Sequence, residues 1–296
     1  MIVGRAPRIR QTLYPAWRTL AVLFVWDSAV TLFYYALPFA APALPITLFG
    51  TVLGLFLGFR TNSAYQRWWE GRTLWGAMIN ASRSLARAVL GFVPDDSAAA
   101  AAMKRLIVRR QIAYVHALRC QLRRQDPAPE IERLLGPDAA AEATARTNPA
   151  NALLDGTTRM IAEIRREGLI DTIQQTQIER VMVDIANAQG GMERLKNTPL
   201  PAQYRTFPVF FAKLLCLLLP FGLVETLDWA TPVGSSVAGF MFLAGLQVAD
   251  DLVDPFANTV HDVPLSAMCR TIEIDLLQAA GYAAPAPLQP VRNVLW

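Results

Sequence analysis

The sequence predicts an all-α integral membrane protein with four transmembrane helices and a helical cytoplasmic domain. Three observations carry that prediction. Over half of the 296 residues are hydrophobic (53%) and only 18% are charged, and the mean hydropathy is +0.27. A water-soluble domain of that composition would expose large apolar patches. The apolar residues concentrate in four runs arranged as two pairs. The basic residues avoid the two short connections inside those pairs.

The first run is Thr19 to Ala41, preceded by Arg5, Arg8, Arg10 and Arg18. A basic start, an apolar run and the small residues of Phe39-Ala40-Ala41-Pro42-Ala43 imitate a secretory signal and its cleavage site. The run is too long for that, and Pro42 and Pro45 lead directly into a second apolar run, Ile46 to Phe59. A hairpin of two membrane helices fits better. The second run is short beside the ~20 residues needed to cross the hydrocarbon. The other pair is Pro208 to Leu227 and Val233 to about Leu252, with Asp228 and Pro232 in the turn.

Orientation follows from charge. The N-terminal arm and the stretch Arg60 to Arg205 hold nearly all Lys and Arg, which assigns both termini to the cytoplasm. Residues 60 to about 207 are too polar to cross a membrane. Trp75, Met78, Ile79, Ser82, Leu85, Ala86 and Val89 recur at helical spacing. So do Ile107, Ile112, Val115, Leu118 and Leu122, and then Ile178, Val181, Met182, Ile185 and Met192. Asp126-Pro127-Ala128-Pro129 and the Ala-rich Asp138 to Asn151 read as loops around a short helix. The tail Ala283 to Trp296 is either extended along the body or disordered. The division is therefore 1–60 for the arm and first hairpin and 61–207 for the cytoplasmic region. Residues 208–254 form the second hairpin and 255–296 a cytoplasmic helix and tail.

Several function classes drop out. The sequence holds no P-loop, GxSxG, HExxH or dinucleotide fingerprint, so no enzyme is expected. Cys120, Cys216 and Cys269 are far apart and read as free thiols. His116 and His261 are isolated from them and from each other, too little for a metal site built of His and Cys. The aromatic, basic segment Tyr65 to Trp75 lies just below a membrane run, where interfacial anchoring by Trp68 and Trp69 explains it without nucleic acid. Asp27 and Lys213 are ionisable groups inside the apolar runs, and both are read as structural.

In the second run, Gly50, Gly54 and Gly58 recur every fourth residue, the pattern of a close helix–helix contact. Thr51, Leu55 and Phe59 share the same spacing on an adjoining face. Repeated around an axis, these three would form stacked rings over roughly 12 Å of rise, and apolar rings gate by dewetting. The same periodicity equally describes ordinary core.

The segment Gly58 to Gly76 resembles the stretch that follows the pore helix in the bacterial bestrophins. Leu195-Lys196-Asn197-Thr198-Pro199-Leu200-Pro201 resembles a second block of that family. Asp250 to Phe256, Pro264-Leu265 and Cys269 to Leu277 make a third. The resemblance implies a homopentameric ion channel in the bacterial inner membrane, with one central pore continued through the cytoplasmic helices. It places the pore neck at Thr51, Leu55 and Phe59. It places a cytoplasmic constriction at Ile173, with Ile178 as the competing choice. The neck departs from the animal pattern in using Thr51 and Leu55, which widens it. The resemblance implies passive flux of small monovalent ions: the family name points to chloride and other anions, and bacterial relatives leave sodium-like cations open.

Animal members of the family bind calcium through an acidic clasp. The corresponding candidates are Asp251, Asp254 and Asp262, beside Asp250, but Asn258, Thr259, Val260 and His261 interrupt the acidic run. The favoured reading is capping: Asp254 starting a turn at Pro255 and Asp262 capping the helix entered at Pro264. No cofactor is required on this reading. A secondary carrier and a non-conducting membrane scaffold are the competing function classes.

Overall fold

The protein is described by a computed structural model covering residues 1–2, 9–37, 44–95 and 97–296, with side chains in the first helix described from Trp17 onward. The imitation cleavage site at Phe39–Ala43, and Arg5 and Arg8 of the arm, lie outside the described residues. Ten α-helices are described: α1 (Ile9–Ala36), α2 (Ile46–Phe92), α3 (Ala98–Leu122), α4 (Ala128–Leu135), α5 (Pro137–Thr144), α6 (Pro149–Arg166), α7 (Thr172–Asn197), α8 (Ala202–Leu227), α9 (Thr231–Val253) and α10 (Leu265–Ala279). Among the described residues there is no β-strand, only isolated bridges at Ile2, Val291 and Val294. The chain divides into two compact units, Gly4–Trp68 with Pro199–Asp254, and Met1–Val3 with Trp69–Thr198 and Pro255–Trp296.

The apolar unit contains α1, the start of α2, α8 and α9. Among the described residues, two of its stretches are long and apolar enough to cross a bilayer, Trp17–Ala36 and Ala202–Val253, and the second holds both α8 and α9. The start of α2 is not among them, as its short apolar run anticipates. α9 packs against both α1 and α8. Leu53 and Leu57 of α2 bury themselves among Ala212, Leu215, Leu219 and Leu246. The outer faces are the reverse of a soluble protein's: Val22, Val25, Phe210, Val237 and Met241 are all exposed. Asp27 is buried, at 1% exposure, and its carbonyl accepts from the Thr31 hydroxyl at 2.7 Å. Lys213 is exposed.

The second unit has conventional packing. Trp75, Met78, Leu85 and Val89 on the later part of α2 are buried, as are Ile107, Ile112, Val115, Leu118 and Leu122 of α3. α3 is the central element, touching α4, α6, α7 and α10. Two glycines mark close approaches. A Cβ at Gly71 would lie 3.0–3.2 Å from Pro255 and Phe256, and one at Gly191 would lie 2.9 Å from Leu74, which explains a glycine inside a helix. Helix starts are capped by polar side chains: Ser97 for α3, Asn148 for α6, and a reciprocal Asp171–Gln174 capping box for α7. The tail is extended along the body: Val294 is buried, and the Trp296 carbonyl accepts from the Ala267 amide at 2.6 Å.

A buried ion network fastens α10 to α3 and α4. Glu273, 3% exposed, accepts from Arg133 Nη1 at 3.0 Å and lies 3.3 Å from His116 Nε2. Arg119 and Arg133 also bind Glu130. Burial would raise the Glu273 carboxyl, but the hydrogen bonds from His116 and Arg133 and their charge bring it down to about 2. The three cysteines are buried free thiols, and burial pushes Cys269 up to about 12, so this thiol is inert.

Candidate functional site: an uncovered helix face and a capped helix start

On the first turns of α2 the side chains sort by face. Leu53, Leu57, Arg60 and Ala64 are buried, at 2%, 9%, 4% and 1% exposure. At 3.6 residues per turn, Thr51, Leu55 and Phe59 fall roughly opposite that face. All three are exposed, Leu55 at 59% and Phe59 at 56%. The spacing that reads equally as core in the sequence is thus an uncovered apolar face within this chain. The Thr51 hydroxyl donates to the Thr47 carbonyl at 2.8 Å, so its proton is committed to the helix and its lone pairs are left outward.

The glycines form one flank of this face. A Cβ built at Gly50, Gly54 or Gly58 would meet nothing within 4 Å, so among the described residues no neighbour lies against the stripe. On the other flank, Phe49, Val52 and Phe56 border an apolar groove of about 510 Å³ closed by Phe211, Leu214 and Leu218 of α8.

The orientation of α2 is held from its buried face by two arginines whose role the sequence does not disclose. Arg60 Nη2 binds Asp250 of α9 at 2.5 Å, and its Nη1 donates to the Arg205 carbonyl of α8 at 3.2 Å. Two turns on, Arg67 Nε donates to the carbonyl of Val253, the last residue of α9, at 3.0 Å. A guanidinium at a helix C-terminus satisfies an orphan carbonyl and suits the negative end of the dipole. The only sequence signal is their seven-residue spacing, which puts both on one side of the helix.

The two candidates for the cytoplasmic constriction have opposite surroundings. Ile178 is 1% exposed and belongs to the core of its unit. Ile173 is 72% exposed. It sits in the first turn of α7, where the Asp171–Gln174 capping box fixes the helix start.

The acidic residues are engaged locally. Asp250 pairs with Arg60, and Asp251 accepts from Gln247 at 2.8 Å. Asp254 is the C-cap residue of α9. Asp262 differs from the expected helix cap. Its carboxylate accepts from the amides of Asn258 and Thr259 and from the Thr259 hydroxyl, tying off the preceding loop. The start of α10 carries no side-chain cap. The reason is geometric: Asn258 at φ +68° folds the loop back so that its amides reach Asp262 first.

Apolar helices with lipid-type outer faces, joined in one chain to a packed helical unit, define an all-α membrane protein. The family model for Bacterial/Fungal Bestrophin protein matches residues 8–278. A voltage-dependent anion channel-forming protein of Mesorhizobium japonicum is 36% identical over 245 residues, 82% of this chain and 77% of that protein. The voltage-dependent anion channel-forming protein YneE of Escherichia coli is 36% identical over 250 residues, 84% of this chain and 81% of its own. The structure of a bacterial bestrophin homologue from Klebsiella pneumoniae superposes with a TM-score of 0.83 at 32% identity, covering 89% of this chain and 98% of that one. The chain belongs to the bestrophin family, a family of ion channels and not of enzymes.

Proposed function

We propose that the chain assembles as a homopentamer in the bacterial inner membrane, with both termini cytoplasmic, and conducts small monovalent ions passively through a central pore. Thr51, Leu55 and Phe59 form the neck, and Ile173 forms the cytoplasmic constriction. The observation that carries this reading is the uncovered face of α2. Leu55 and Phe59 are more than half exposed and lie roughly opposite the packed side of the helix. Copies of the chain packed side by side would put these rings on an axis. They would also supply the glycine stripe with the close neighbour that such a stripe accommodates. The relatives named as anion channel-forming proteins favour anions as the permeant species. Calcium is not part of this reading, since the Asp262 carboxylate is taken up by its own loop.

The test is single-channel recording of the purified protein in a planar bilayer, with Leu55→Ala and Phe59→Ala beside the parent. Shortening either side chain widens an apolar ring and eases its wetting, so both variants raise conductance. Unchanged currents from both overturn the neck. Saturable, coupled flux at carrier rates would identify a carrier instead, and an electrically silent oligomer would identify a scaffold.

A further inference from the structure

The face of α7 that carries Ile173 also carries charge. Counting 100° per residue from Ile173, Gln177, Arg180, Asp184 and Asn187 all return within about 40° of the same line. All four are exposed, while Ile178, Met182, Ile185 and Met192 on the opposite side are buried. Arg180 falls almost directly in line with Ile173, roughly 10 Å along the axis. Among the described residues neither Arg180 nor Asp184 has an ion-pair partner. Glu179 is partly buried and about a third of a turn off the line. Nearer to Ile173, the Asp171 carboxylate accepts from the Gln174 amide and Arg165 donates to the Thr172 hydroxyl, so both are engaged at the helix start.

We propose that Arg180 decides the sign of the ion admitted at the Ile173 constriction, by setting a ring of unpaired guanidinium groups beside it. The proposal rests on the reading of Ile173 as a pore residue. Its physical basis is distance. Arg180 lies about one Debye length from Ile173 at 0.1 M salt, so its field reaches the constriction only partly screened. Asp184 lies one turn further, roughly 16 Å from Ile173, where screening has removed most of its opposing effect. A ring of guanidinium groups raises the local concentration of anions and lowers that of cations. Selectivity then arises from a residue that does not itself narrow the path.

The experiment measures the reversal potential of the full chain in a planar bilayer under a tenfold KCl gradient, for the parent, Arg180→Gln, Arg180→Glu, Asp184→Asn and Ile173→Ala. Arg180 is exposed, so its variants are expected to fold and assemble, which gel filtration checks. Arg180→Gln should lower the anion-to-cation permeability ratio by on the order of tenfold, as several partly screened unit charges around one path would. Arg180→Glu should lower it further, and Asp184→Asn should move it less, in the opposite direction. A parent-like reversal potential in both Arg180 variants overturns the proposal. If Ile173→Ala then still alters conductance, the constriction survives and only the Arg180 assignment falls. If Ile173→Ala is also silent, the reading of Ile173 falls with it.

Discussion

The two parts of α2 present opposite surfaces. From Ile46 to Trp68 it exposes Leu48, Phe49, Val52, Leu55, Phe56 and Phe59 and spends Arg60 and Arg67 on the opposite side. From Trp69 to Phe92 it does the opposite, hiding Trp75, Met78, Leu85 and Val89 and turning Arg72 and Arg87 outward. The later part uses the hydrophobic effect in the usual way, because removing apolar surface from water is favourable. For the earlier part lipid is as apolar as leucine, so burying leucine gains little. Polar ties such as Arg60–Asp250 then orient the helix, which leaves its apolar face free for another task.

That comparison can be broken by substitution. Trp75→Ala should produce the largest loss, about 3–5 kcal/mol, because it empties a fully buried site. Phe59→Ala, of similar chemistry on the exposed face, should leave the thermal stability of the single chain nearly unchanged. Matching losses from the two would erase the distinction between the parts.

Glu273→Gln probes the water-side unit through pH. The Glu273 carboxyl sits at about 2 in the folded protein, below its ordinary value of 4.5. A depressed carboxyl contributes stability that is present above the unfolded value and is lost as pH falls through the folded one. The parent should therefore exceed the variant by about 3 kcal/mol at pH 7. That advantage should shrink between about pH 4.5 and 2. Denaturant melts across that range give the curve, and a constant gap would refute it.

Arg60→Gln should have a smaller effect, about 1–3 kcal/mol. The guanidinium is buried, but the carboxylate side chain of Asp250 is 51% exposed and regains water when the pair breaks. A gain in protease cleavage near the α2–α9 contact, without loss of the second unit's fold, would sharpen the assignment.

The helical periods of Trp75 to Val89 and Ile107 to Leu122 were legible because a core face repeats every 3.6 residues whatever it packs against. α6 was not anticipated, since Pro149 to Arg166 mixes Asn, Gly, Thr and Arg among its apolar positions. The sequence leaves the tail open between extended and disordered, because its order depends on partners remote in sequence, such as Ala267 for Trp296.

By itself the sequence determined the all-helical class, the apolar runs, the helical spacing of Thr51, Leu55 and Phe59, and the two candidates Ile173 and Ile178. Tertiary structure alone decided which faces stay uncovered. It buried Ile178 and left Ile173 exposed, turned Arg60 and Arg67 inward, and gave Asp262 to its loop. Periodicity fixes which residues share a face, but only a neighbour in space decides whether that face meets protein or is left bare.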